Sequence, residues 1–208
     1  MSSVSPSVLL RITGEHLLIV AISVGAAIVI AVPLGVFAAR HRRAGRLVLR
    51  LTDGVQTIPA LAMFGFLIPI PFIGGIGTRT AIIALVLYSL LPILRNTVTG
   101  ILGVDPLVRE AATAMGMTPR QLLREVELPL AMPTIIGGIR IATVVCIGLA
   151  TIAAFVGGGG LGELILRGVA MVDSRLILAG ALPATLLALL ADAVFSVVER
   201  RLATKMGQ

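Results

Sequence analysis

The residues best suited to metal binding or nucleophilic catalysis are two histidines and one cysteine. His16 and His41 lie at opposite ends of one long apolar segment, and Cys146 lies inside another. A zinc site needs such ligands at short, regular spacing, and a catalytic triad needs a histidine that reaches both a serine and an acid. We therefore expect no metal site and no catalytic residue, and we expect Cys146 to pack as a small apolar side chain.

Nucleotide binding by a glycine-rich loop is excluded by residue type. A phosphate-binding P-loop ends in Lys followed by Ser or Thr, whereas the only lysine, Lys205, is followed by Met206. The four consecutive glycines at 157–160 have no lysine near them. We expect that the chain is not an enzyme and binds no cofactor, so that any use of ATP and Mg²⁺ belongs to a partner subunit.

The composition indicates a protein embedded in lipid. Of the 208 residues 57% are hydrophobic, and the mean hydropathy is +1.07, whereas soluble domains are about 45–50% apolar. The net charge of +7 would suit nucleic acid, but aromatic residues make up only 3% and the basic residues lie between apolar runs. We predict no nucleic-acid partner and an all-α, polytopic membrane helical bundle that forms a single domain over residues 1–208.

Five segments are apolar enough to be membrane spans, which need about 20 residues. They are predicted at about residues 16–39, 55–72, 80–94, 134–156 and 176–198, and the second is expected to be broken by Pro59, Pro69 and Pro71. Most of the 17 basic residues follow the first, third and fifth of these segments. Basic loops favour the cytoplasmic side, which predicts an amino terminus outside and a carboxyl terminus in the cytoplasm. Arg is strongly preferred over Lys, as in GC-rich bacterial genomes, so we expect a bacterial cytoplasmic (inner) membrane.

The loop between the third and fourth spans contains signals for two short helices. Asp105 is a good N-cap, Pro106 suits the first helical position, and Gly116 suits a left-handed end. Small and apolar residues lie near this turn, and an exposed apolar tip usually marks a partner surface. A connector packed against its own bundle is the alternative. The residues of the tip are Ala111, Ala112, Ala114, Met115 and Met117.

A second helix is predicted to begin at Thr118, whose spacing to Gln121 is that of a capping box. Leu122, Leu123 and Val126 are expected on its apolar face, and Pro129 is expected to end it. The charged side chains are expected on its solvated face, and they are Arg120, Arg124, Glu125 and Glu127. The loop is therefore predicted to be a helix–turn–helix on the cytoplasmic side, within about residues 96–133.

This loop resembles the "EAA" loop of ABC importer permeases. The resemblance rests on Glu110, Ala111 and Ala112, then Gly116, then Val126 in place of the commoner Ile, and Leu128 with Pro129. Residues 56–66, 91–97 and 155–165 are similar to permeases for osmoprotectants such as glycine betaine, carnitine, choline and proline betaine. The similarity extends from residue 15 to about residue 195.

The resemblance implies a type I ABC importer permease in which this loop couples the chain to its ATPase. The implied coupling residues are Glu110, Ala111, Ala112, Met115, Gly116, Met117, Leu128 and Pro129. The implied partners are a cytoplasmic ABC ATPase dimer, a second permease copy or paralogue, and an extracytoplasmic substrate-binding protein. The alternatives are a permease for another small solute such as methionine, and an ATP-independent channel or scaffold.

For a permease, polar residues beside helix breaks suggest a translocation pathway. We predict that Gln56, Thr57, Pro59 and Asn96 line it, with ordinary interhelical hydrogen bonding as the alternative for the run at Gln56. Asp192, the only acid well inside a span, is expected to reach Arg200 or water.

On the outer side, the glycine run is expected to turn the chain into a short helix at about residues 161–171. We predict that Gly157, Gly160 and Glu163 form an outer gate or contact the binding protein. A flexible connector is the alternative for this segment.

Overall fold

A computed structural model describes residues 5–205, and their regular secondary structure is helical throughout. Two of these helices are not α-helices, namely a π-helical segment, Leu122–Glu127, and a short 3₁₀ turn, Ala153–Val156. The α-helices are α1 (Pro6–Arg40), α2 (Arg42–Thr57), α3 (Ala60–Leu67), α4 (Thr78–Leu102), α5 (Pro106–Ala114), α6 (Pro119–Gln121), α7 (Leu128–Ile152), α8 (Gly162–Met171) and α9 (Ser174–Lys205).

Within the described residues 5–205, four helices are long and apolar enough to cross a membrane. They are α1, α4, the continuous helix Pro119–Val156 and the helix Ser174–Thr204 within α9. These helices contain four of the five predicted spans, and the short outer helix predicted near residues 161–171 is α8. The prediction of an all-α membrane bundle is confirmed.

The second predicted span is not one continuous helix. It is divided into α2 and α3 by an extended break at Ile58 and Pro59. The segment nevertheless runs antiparallel to α4, because Asp53 pairs with Arg95 (2.6 Å) while α3 packs near the 3₁₀ turn at the opposite end. It therefore packs along α4 as a broken element, and the predicted break at Pro59 is confirmed.

The core lies between α1, α4 and α7, and small residues let these helices approach closely. A Cβ atom at Gly35 would lie 2.6 Å from the Thr97 side chain of α4. A Cβ at Gly138 of α7 would lie 2.6 Å from Cβ of Asn96 and 2.8 Å from the Pro92 carbonyl oxygen. Helix α9 packs mainly on α7 and α8 and leaves most of its surface exposed.

Candidate functional site

The turn predicted in the loop between α4 and α7 is present and is built from local signals. The Asp105 carboxylate accepts the Leu107 amide at 2.8 Å and caps α5. Gly116 has a φ of +86°, in the left-handed region that favours glycine. The Thr118–Gln121 capping box is complete, with the Thr118 amide donating to Gln121 Oε1 at 2.9 Å. These features fix a helix–turn–helix that projects from the bundle.

The tip of this loop is apolar and largely exposed. Leu107 and Met115 are 71% and 73% exposed, and Glu110, Ala111 and Gly116 are exposed beside them. Ala112 is a correction to the predicted tip, since it is only 3% exposed. It lies on the opposite face of α5, which packs against the π-helical segment. The remaining face is available for a partner.

The predicted stop at Pro129 is wrong. The helix that begins at Pro119 continues through Pro129 into the membrane-spanning part of α7. It does so through the π-helical segment, where the Leu128 amide bonds to the Leu123 carbonyl five residues back. A proline inside an α-helix lacks a backbone N–H donor, and its ring clashes with the carbonyl four residues before it. The wider π turn before Pro129 accommodates both effects. As a result, Leu128 and Pro129 join the loop to α7 without a hinge between separate helices.

Glu127 was expected on the solvated face, and this prediction is also wrong. Its side chain is 9% exposed and is held between two arginines, Arg40 of α1 at 3.3 Å and Arg109 of α5 at 3.4 Å. Arg40 also donates to the Pro119 carbonyl at 2.9 Å, and Arg109 donates to the Ile101 carbonyl. We call Arg40, Arg109 and Glu127 the arginine–glutamate clamp. It connects the loop to α1 through Arg40 and to the end of α4 through Arg109.

Sequence reasoning missed the clamp although a signal was present. Glu127 follows Leu123 by four residues, so the two side chains share one helix face. That face is the half-buried one in the structure. A charge at an apolar position of this kind predicts a buried ionic partner.

Of the predicted pathway residues, the run at Gln56 forms interhelical hydrogen bonds. The Gln56 amide donates to the Tyr88 carbonyl at 3.0 Å, and the Tyr88 hydroxyl donates to the Ile58 carbonyl freed by the break. Thr57 bonds within its own helix to Gly54, and Pro59 is exposed. The helix break is thus supported by α4, as broken backbone in a membrane requires.

A cleft between α7 and α9 is lined by four charged side chains, Arg140, Asp192, Glu199 and Arg200. Arg140 binds Asp192 through two hydrogen bonds of 2.6 and 2.9 Å, and its third nitrogen lies 3.4 Å from Glu199. The expected pairing of Asp192 with Arg200 is therefore wrong, because its partner is Arg140 on a neighbouring helix. The alternative, that Asp192 reaches water, agrees with a side chain that is 42% exposed. Asn96, a predicted pathway residue, lines this cleft.

On the opposite side, the glycine run turns the chain from the 3₁₀ segment into α8. Gly157 and Glu163 are exposed, whereas Gly160 is buried. Gly160 has a φ of +75°, and a Cβ there would lie 2.9 Å from Nδ1 of the buried His16. Only Gly157 and Glu163 among the three predicted outer residues are therefore accessible to another protein.

Comparison with known proteins places the chain in a family. The model of the family described as "Binding-protein-dependent transport system inner membrane component" matches residues 31–204. The chain belongs to this family. It is therefore a multi-pass membrane permease subunit of an ABC transporter.

Similar permeases include the carnitine transport permease protein OpuCD of Listeria monocytogenes serotype 1/2a (strain 10403S), 50% identical over 90% of this chain and 83% of the relative. The osmoprotectant import permease protein OsmW of Salmonella typhimurium (strain LT2) is 49% identical over 88% and 86%. The fold matches that of the MetNI methionine ABC transporter in an inward-facing conformation, with a TM-score of 0.88, 24% identity and coverage of 97% and 99%.

In this permease, replacing Gly116 with valine is expected to weaken attachment of the ATPase. A left-handed residue other than glycine costs about 1–2 kcal/mol, and a β-branched residue fits this region poorly. No atom lies within 4 Å of a Cβ at Gly116, so the effect comes from the backbone alone. Gly116→Asn should retain more ATPase than Gly116→Val when the complexes are co-purified. Equal recovery with the two variants would contradict the role of this turn.

Proposed function

We propose that this permease moves quaternary ammonium osmoprotectants into the cell as the membrane subunit of an ATP-driven importer. The observation that carries the proposal is the 50% identity, over 90% of the chain, to a carnitine transport permease. Relatives from Bacillus subtilis and Salmonella typhimurium are also named for glycine betaine, carnitine, choline or osmoprotectants. These relatives favour such solutes over methionine, since the likeness to the methionine transporter is one of fold.

The energy source is proposed to be a dimer of cytoplasmic ABC ATPases, which bind ATP and Mg²⁺. The exposed apolar tip around Met115 and Gly116 gives each ATPase subunit a surface to bind. The continuous helix from Pro119 to Val156 joins that tip directly to the membrane domain. Movement of the ATPases would therefore be transmitted along α7, so that the pathway opens alternately to each side.

Two further partners complete the proposed importer. A second permease copy or a paralogue is needed because one small bundle cannot enclose a pathway. Selection of the solute is assigned to an extracytoplasmic binding protein, since quaternary ammonium groups are usually held by aromatic cages. This chain has no Trp and a single Tyr, and that Tyr88 is occupied in supporting the helix break.

The amino terminus is proposed to lie outside and the coupling loop in the cytoplasm of a bacterial inner membrane. Labelling with a membrane-impermeant maleimide tests this arrangement. Met171→Cys, at the exposed end of α8, should react in intact cells, and Leu107→Cys should react only after permeabilisation. The native Cys146 is 1% exposed and should contribute little background. The opposite labelling pattern would invert the topology.

The transport proposal is tested by uptake. The permease would be expressed with its ATPase and binding protein in a bacterium lacking its own betaine and carnitine uptake. Radiolabelled glycine betaine, carnitine and choline should accumulate in an ATP-dependent manner, whereas radiolabelled methionine should not. Accumulation of methionine alone, or uptake that persists without the ATPase, would overturn the proposal.

A further inference from the structure

The charged cleft between α7 and α9 contains more ionic groups than a structural ion pair requires. Arg140 directs all three of its guanidinium nitrogens at acids, two at Asp192 and one at Glu199. Charges within membrane-spanning helices are costly, and they usually mark a substrate or ion pathway. Replacing a buried ion pair by apolar residues is often neutral or stabilising. Stability of the packed helices therefore does not explain why this cluster of charges is present.

These groups are partly accessible. The Arg140, Asp192 and Glu199 side chains are 32%, 42% and 34% exposed. Exposed charges facing hydrocarbon would be unfavourable, so this side of the bundle faces water or protein. Arg140 lies in the predicted span at about residues 134–156, in the part nearest the α5–α6 loop, so a solute held in this cleft would lie on the loop side of the membrane domain.

The cleft has the size and the charge balance of a small-solute site. Its volume is about 730 Å³, within the range of about 300–1,000 Å³ typical of ligand pockets. Asn96, Thr134 and Ser196 add neutral polar groups to its wall, and Arg200 adds a second positive charge. Two arginines and two acids leave the site without net charge. A ligand with one excess charge would disturb this balance, whereas a zwitterion would preserve it.

We propose that this cleft is a weak binding site for a zwitterion that carries a carboxylate and a cationic nitrogen. The inference rests on the proposed function and assigns a site within the permease itself. Arg140 binds the ligand carboxylate, because its planar guanidinium already holds a carboxylate at 2.6 and 2.9 Å. Asp192 and Glu199 then face the cationic end of the ligand.

Binding in this way is an exchange of ion pairs and needs no added charge. The ligand carboxylate replaces the Asp192 carboxylate on Arg140, and the freed Asp192 pairs with the ligand cation. Gly137 lets the Glu199 side chain approach α7 closely, since a Cβ at Gly137 would lie 3.3 Å from Glu199 Oε1. The helices α7 and α9 are therefore joined by the internal ion pair when the cleft is empty and by the ligand when it is filled.

The test is saturation-transfer NMR on the purified permease–ATPase complex without its binding protein. The N-methyl signal of glycine betaine, a zwitterion, should show transfer from the wild-type complex, and choline, which has no carboxylate, should bind about tenfold more weakly. The double variant Arg140→Gln/Asp192→Asn leaves no unpaired charge between these two positions and should lose at least about tenfold in betaine affinity. Arg167→Gln, an exposed change on α8, is the control and should bind normally.

The neutral double variant also separates binding from structure. If Arg140→Gln/Asp192→Asn assembles with its ATPase and takes up betaine at the wild-type rate, these charges do not hold the ligand, and the proposal is overturned. Equal affinity of the wild type for choline and betaine, or unchanged betaine binding by the neutral double variant, would also overturn it. If the wild-type transporter takes up no betaine at all, the proposed function fails. If uptake is normal and only the NMR differences are missing, this inference alone fails.

Discussion

Replacing Glu127 with alanine is expected to abolish most ATP-driven uptake and to release the ATPase from the permease. The change leaves Arg40 and Arg109 facing each other without the carboxylate that lies within 3.3 and 3.4 Å of them. Breaking a buried ion pair costs about 3–5 kcal/mol. We expect about 2–3 kcal/mol here, because the two arginines are 33% and 27% exposed and water screens part of the loss.

The expected result is measured as ATPase recovered by co-purification and as initial uptake rate. Glu125→Ala is the matched control, since Glu125 is an exposed residue of the same π-helical segment, and it should behave like the wild type. Glu127→Gln should be intermediate, because the amide keeps an acceptor oxygen but loses the charge. A Glu127→Ala transporter with normal assembly and normal uptake would show that the clamp does not position the coupling loop.

Replacing Gly138 with valine is expected to prevent stable folding of the bundle. The new side chain would meet the Pro92 carbonyl oxygen, which cannot move without shifting α4. Overpacking typically costs about 1–3 kcal/mol, and a clash with backbone places this site at the upper end of that range. The measurement is the fraction of monodisperse protein after detergent extraction, together with its apparent Tm.

A matched substitution is available on the same helix. Gly148 also lies in α7, and a Cβ there would have no atom within 4 Å. Gly148→Val should therefore be extracted nearly as well as the wild type, whereas Gly138→Val should be largely lost. Similar losses for the two variants would mean that valine disturbs α7 itself and that the close approach of α4 is not the cause.

Local chemistry explains why the helix–turn–helix between α4 and α7 was predictable in detail. Three local features define this loop, and each is formed by residues that are close together in the sequence. They are the Asp105 cap, the Gly116 turn and the Thr118 capping box. Such interactions form largely without the rest of the fold, so they can be predicted directly from the local sequence. The four long apolar helices were predictable as well. Any helix that crosses a lipid bilayer needs a long apolar segment whose backbone hydrogen bonds are satisfied within the helix.

The errors occurred where distant residues control the outcome. Proline rules predicted an end at Pro129, but the π-helical segment before it allows the helix to continue. Glu127 was placed in solvent because its partners, Arg40 and Arg109, lie far away in the chain. The break at Pro59 was recognised, yet its support by Tyr88 of α4 required the packed bundle.

By itself the sequence determined that this is an all-helical membrane protein and, through its resemblance to a known family, an ABC importer permease. Hydropathy, charge position and the lack of a P-loop lysine are properties of residue type and order, and they hold in any packing. Only the tertiary structure decided which charges meet. Arg140 and Asp192 come together because α7 and α9 are adjacent, and their pairing is what turns two isolated charges in apolar helices into a candidate solute site.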